Sequence, residues 1–157
     1  MVDSVPRQRL TALIAVLLLF VTGCGGGASP DTATVLPTTT MQIGGQQFIL
    51  EKAVTPGEQS KGLMRRDSLP ADHGMIFIST HAYSQTFWNE NVRFPLDNLF
   101  LNDDGTIVSI QSMKAYDATD TEPVVCRYVI ELNFGLAQKL GLKEGDKLTL
   151  PPEVTKP

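Results

Sequence analysis

The sequence predicts a mainly β fold, an antiparallel sandwich or small barrel with two short helices. About seven short apolar runs are bounded by turn-forming residues, the pattern of strands rather than of long helices. Two of these runs, Asn98 to Asn102 and Thr106 to Ser112, flank Asp103-Asp104-Gly105, a hairpin signal. No βαβ alternation recurs, which argues against a doubly wound parallel sheet.

The chain has 157 residues, the size of one domain that can bury a core without metals or disulfide staples. Its net charge is -4 with 19% charged residues, and it has no long basic run. The electrostatic footprint of a nucleic-acid binder is missing, so no nucleic-acid partner is expected.

The first element is a targeting segment over residues 1–23. Arg7 and Arg9 form a positive start, and Leu10 to Phe20 is an apolar run of signal-peptide length, too short to cross a bilayer comfortably as a helix. Val21-Thr22-Gly23-Cys24 follows and resembles a bacterial lipobox. The resemblance implies cleavage before Cys24 and lipid on its sulfur, hence an exported protein tethered to the membrane of the bacterial cell envelope. An ordinary secretory signal with an incidental Cys24, or an uncleaved anchor, are the other readings. Residues 24–40 are rich in Gly, Ser, Thr and Pro and read as a flexible tether. The globular domain is then expected over residues 41–150, with a tail over residues 151–157.

Within the domain, Phe48 to Val54 reads as a strand preceded by a tight turn at Gly44-Gly45. Thr55-Pro56-Gly57-Glu58 has the capping-box pattern with proline at the first helical position, which predicts a helix from Pro56 to Met64. Gly74 to Ser79 reads as a buried strand, and Gln85 to Glu90 as another, with Phe87 and Trp88 on opposite faces if it is regular. After the hairpin, Lys114 to Pro123 is polar. Its acids Asp117, Asp120 and Glu122 lack the EF-hand pattern, so a solvated loop is expected. Arg127 to Leu132 is a strand, Phe134 to Leu140 a short helix ended by Gly141, and Lys147 to Leu150 a last strand.

Reactive side chains are sparse. Beyond Cys24 the only cysteine is Cys126, ahead of an apolar strand with no activating histidine nearby, and it reads as a buried small hydrophobe. His73 and His81 lack metal-ligand spacing, and no metal or cofactor is expected. No nucleophile elbow, phosphate loop or dinucleotide fingerprint occurs.

The segments GLMRRDSLP (62–70), GMIFIS (74–79), FWNEN (87–91) and PLDNLFLNDDGTIV (95–108), followed by RYVIEL and Gly145-Asp146, resemble domain-of-unknown-function family 192. The resemblance covers nearly all of the chain beyond the tether. It implies a β-rich domain similar to jelly-roll-like sandwiches, often exported, with no established activity. Where the family commonly has Trp-Met-Lys-Asn this chain has Trp88-Asn89-Glu90-Asn91, and where it commonly has an aromatic this chain has Arg65. Arg66 stands at the position of the family's arginine. Glu90 in place of lysine reverses a charge, so an anion-binding role for that lysine does not transfer.

The candidate site residues are Arg66, Trp88, Asn91 and Asp97. Arg66 and Asp97 are expected to pair, since a planar guanidinium matches a carboxylate bidentately. Such a pair either ties the helix exit to the turn at Pro95-Leu96-Asp97 or joins Trp88 and Asn91 as the polar edge of a small pocket. The expected function is a non-catalytic binding or accessory module for a small polar ligand, a polysaccharide or another envelope protein. The alternative is a hydrolase of envelope carbohydrate using Asp97 and Glu90 as its carboxylates.

Overall fold

The computed structural model describes residues 36–156. The targeting segment, Cys24 with its lipobox, and the expected tether up to residue 35 lie outside the described residues. The strands are β1 (Thr38–Ile43), β2 (Gln46–Ala53), β3 (His73–Gln85), β4 (Leu96–Leu101), β5 (Ile107–Met113) and β6 (Val124–Asn133). They form one six-stranded sheet in the order β1-β2-β3-β6-β4-β5. The mainly β expectation holds, as an open mixed sheet that strand pairing does not close into a barrel.

The sheet is antiparallel except where β2 runs parallel to β3. A parallel pair needs a crossover, and the helix α1 (Pro56–Lys61) supplies it. The capping box expected from the sequence is formed: Thr55 Oγ1 accepts from the Glu58 backbone N–H at 3.3 Å, and Glu58 Oε2 accepts from the Thr55 N–H at 2.8 Å. β1 and β2 are joined by Gly44-Gly45 alone, both with positive φ (56° and 80°), the geometry of a two-residue hairpin that side-chain-bearing residues resist.

Alternation along the strands sends two apolar sets to opposite faces. The first face gathers Phe48, Leu50, Ile76, Leu99, Tyr128 and Ile130 under α2 (Leu136–Lys139) and the C-terminal segment. The second gathers Ala53, Met75, Phe77, Leu96, Phe100 and Val129 under Leu63, Leu69 and Val92. Both faces are therefore dry over much of their area, which is why the strands read as near-continuous apolar runs.

Several boundaries differ from the sequence reading. β1 begins at Thr38, inside the stretch expected to be tether, because its β-branched threonines suit a strand as well as a linker and Thr39, Met41 and Ile43 alternate inward. The expected strand from Gln85 to Glu90 does not form. The backbone of Phe87 and Asn89 instead bonds to loop residues Thr121 and Asp117, and the Asn89 amide donates to the carbonyls of Phe94 and Lys114. The expected last strand is reduced to one bridge between Thr106 and Lys147. The tail carries a third helix, α3 (Pro152–Thr155), whose Val154 is fully buried and whose Glu153 accepts from the Thr39 hydroxyl at 2.6 Å.

Candidate functional site

A cleft of about 390 Å³ opens on the second face of the sheet, between the exit of α1 and the irregular segment that follows β3. Gln59, Leu63 and Met64 form one wall, and Phe87, Trp88 and Val92 the other, with Phe77 and Glu131 at the floor. The aromatic wall is braced by edge-to-face contacts of Phe87 with Phe77 (4.9 Å between centroids) and with Phe100 (5.8 Å).

Register explains the chemistry of the floor. Glu51 of β2 lies beside Met75 of β3, Met75 beside Glu131 of β6, and Glu131 beside Asn98 of β4. Partners in register share a face, so one row crossing four strands brings two carboxyls and an amide under the second-face cover. Glu131 is 4% exposed and Asn98 fully buried. The Asn98 amide has no hydrogen-bond partner among the described residues.

Arg66 reaches over this row. It grips Glu51 with both ends of its guanidinium, at 2.5 and 2.8 Å, and these hydrogen bonds hold it in its charged form. The expected pairing with Asp97 is therefore corrected. Asp97 sits on β4 with Leu99 and Leu101 on the first face, where its Oδ1 accepts from Ser112 Oγ at 2.7 Å and its Oδ2 from the Ala137 N–H at 2.9 Å. Arg66 projects onto the second face, so the sheet lies between them. Asp97 borders a second hollow of about 340 Å³ with Phe134 and Gln138, but both of its oxygens are already engaged, Oδ1 by Ser112 of β5 and Oδ2 at the start of α2. Glu90 stands in an exposed turn, and the structure does not join it to Asp97 as an acid and base pair.

Of the other expected site residues, Trp88 lines the cleft at its mouth and is 44% exposed. Asn91 does not line it. That residue is exposed in the turn, and its backbone carbonyl accepts from the Arg65 N–H at 3.0 Å. Trp88 and Asn91 thus do not share a recognition edge. The neighbouring Asn89 is buried and serves the loop instead.

Residues 39–150 match the model of family DUF192, described as "Uncharacterized ACR". The chain belongs to this family. No curated protein matches it. Two crystal structures are similar to it: a protein from Sinorhizobium meliloti 1021 provisionally named a transcription regulator, and a protein of unknown function from Novosphingobium aromaticivorans DSM 12444. The first is 34% identical with a TM-score of 0.62, covering 71% of this chain and 90% of its own. The second is 35% identical with a TM-score of 0.66, covering 78% and 91%.

In this DUF192 domain Glu131 is the group that sequence reasoning missed. Burial pushes its carboxyl up from 4.5 to about 8, with the Arg66 charge opposing that rise. It accepts no hydrogen bond from any described residue that would favour its ionised form. At neutral pH it is a protonated acid facing the cleft, able to donate one hydrogen bond or to yield its proton. Glu51 and Asn98 were missed with it. The available signal was a glutamate inside RYVIEL and an asparagine inside LDNLFL, polar residues within runs apolar on both faces.

Proposed function

We propose that this DUF192 domain is a non-catalytic binding module of the bacterial cell envelope, carried on a lipidated Cys24, and that it takes a small ligand in the cleft over Glu131. One observation supports this above the rest: a buried carboxyl with no hydrogen bond from the described residues faces an open cleft walled by aromatic and aliphatic side chains. Ligand sites are mostly apolar with a few placed polar groups, and perturbed titratable groups concentrate in them. Trp88 at the mouth offers a half-exposed ring to stack on the ligand.

Membrane attachment is tested by fractionation of the Cys24→Ser variant. It leaves the detergent phase if Cys24 carries the lipid, and an unmodified mature N-terminus found elsewhere by mass spectrometry removes the anchor. Binding is tested by a small-molecule and glycan screen against the purified chain, followed by calorimetry on Trp88→Ala and Glu131→Gln. Both variants lose affinity if the cleft is the site. Ligands that bind both as tightly as the parent place the site elsewhere.

A further inference from the structure

We infer that the cleft binds an organic ammonium cation, its charge against Glu131 and its alkyl groups against the rings of Phe77, Phe87 and Trp88. This rests on the reading of the cleft as the ligand site and names the class of ligand it takes.

The walls and the floor ask for two properties in one molecule. Aromatic and aliphatic side chains favour alkyl groups, and an aromatic ring also attracts a cation held over its face. A lone carboxyl at the floor favours a positive charge, more strongly for being removed from water. A polyhydroxylated ligand would need several uncommitted polar groups converging on it. Of the polar side chains in the lining, the amide nitrogens are engaged, Gln59 Nε2 with the carbonyls of Ala53 and Ile78 and Gln85 Nε2 with that of Cys126, which leaves such a ligand chiefly the hydroxyls of Ser60, Ser84 and Thr86.

The charged groups packed around Glu131 leave this balance intact. Arg66, from the loop after α1, is bound bidentately by Glu51 of β2, and what remains of its charge at Glu131 favours the carboxylate without titrating in this range. Lys61 on α1 is exposed at the rim, Tyr83 of β3 borders the cleft with an exposed ring, and Asn98 of β4 is uncharged. Glu131 is therefore the group whose ionisation sets the net charge of the floor. In the empty cleft burial keeps it protonated up to about pH 8. A cation entering the cleft displaces that proton to water, leaving a carboxylate paired with the ammonium. Affinity then follows the ionised fraction of the empty protein: it rises about ninefold from pH 6 to pH 7 and levels off above about pH 8.

The test uses choline, whose charge is independent of pH, and 3,3-dimethylbutan-1-ol, its uncharged counterpart of the same shape. The full chain in dodecyl maltoside micelles is titrated with each, following the fluorescence of Trp88, the chain's single tryptophan. The expected result is saturable binding of choline, at least tenfold weaker binding of the alcohol, and the ninefold tightening of choline between pH 6 and pH 7. Glu131→Gln should keep a cooperative melt while losing both the preference for choline and its pH dependence. Equal affinity for the two probes, or choline binding that ignores pH, overturns the cation inference and leaves the cleft as a site for neutral ligands. A ligand from the screen that binds where choline does not overturns it equally. Failure of the cleft itself reads differently, as calorimetric binding unchanged in both Trp88→Ala and Glu131→Gln.

Discussion

Replacing Glu131 with glutamine should stabilise the domain, and by an amount that grows with pH. The folded protein holds the Glu131 proton up to about pH 8, whereas an unhindered glutamate releases it near 4.5. Between these values the native state binds more protons than the unfolded chain, so stability falls as pH rises through the window and is level beyond it. At 1.36 kcal/mol per pH unit, the cost is about 3 kcal/mol by pH 7 and about 5 kcal/mol above pH 8. The glutamine amide has nearly the shape of the protonated acid and does not titrate. Urea unfolding of the parent and of Glu131→Gln, followed by circular dichroism from pH 4 to pH 9, isolates this group because every other titration cancels in the difference. The two proteins should agree at pH 4, and the variant should be more stable by several kcal/mol at pH 9. Parallel profiles across the range would refute the claim that Glu131 is buried and proton-bound.

Three other perturbations separate the two faces of the sheet. Arg66→Ala strands Glu51 and removes the cation nearest Glu131; with the pair partly exposed, the loss should be about 1 to 3 kcal/mol in urea unfolding, and the pH window of Glu131 should move upward. Asp97→Ala leaves the Ala137 N–H and the Ser112 hydroxyl without their acceptor, which should cost about 2 kcal/mol while ligand affinity in the cleft, measured by calorimetry, stays unchanged. The Cys126 thiol, pushed up to about 12 by burial, should resist thiol reagents at pH 8 until the domain is unfolded, and rapid labelling of the native protein would contradict its placement in the core.

Local chemistry was legible wherever a few consecutive residues decide the outcome. Thr55-Pro56-Gly57-Glu58 forms its capping box because both halves of that interaction lie within one turn, and Asp103-Asp104-Gly105 turns the hairpin with Gly105 at φ 84°. The elements misread are those settled by distant partners. Gln85 to Glu90 has strand composition, but its backbone finds partners in the loop at Asp117 and Thr121. Thr38 to Thr40 has linker composition, yet β2 pairs with it, and Pro152 to Thr155 is held by the burial of Val154 and a hydrogen bond to Thr39. The parallel β2 and β3 pairing rests on the order of strands in space, which strand composition does not encode.

The site was legible in part for the same reason. Arg66 and Trp88 announced themselves as a charge and an aromatic next to apolar runs, and both lie where the second face is covered. The partner of Arg66 was misassigned because Glu51 and Asp97 are equally plausible carboxylates in sequence; the parity of each along its strand sends them to opposite faces, Glu51 with Ala53 and Asp97 with Leu99. Parity also gives the rule that would have found Glu131. In RYVIEL it alternates with Tyr128, Ile130 and Leu132, so it must share the face of Val129, and a carboxyl on a face that is otherwise core is either paired, protonated or waiting for a ligand. Arg66 is committed to Glu51, which removes the first option, and burial imposes the second. The cleft opens at this carboxyl and not at the fully buried Asn98 beside it, so within that row the proposed ligand contact falls to Glu131.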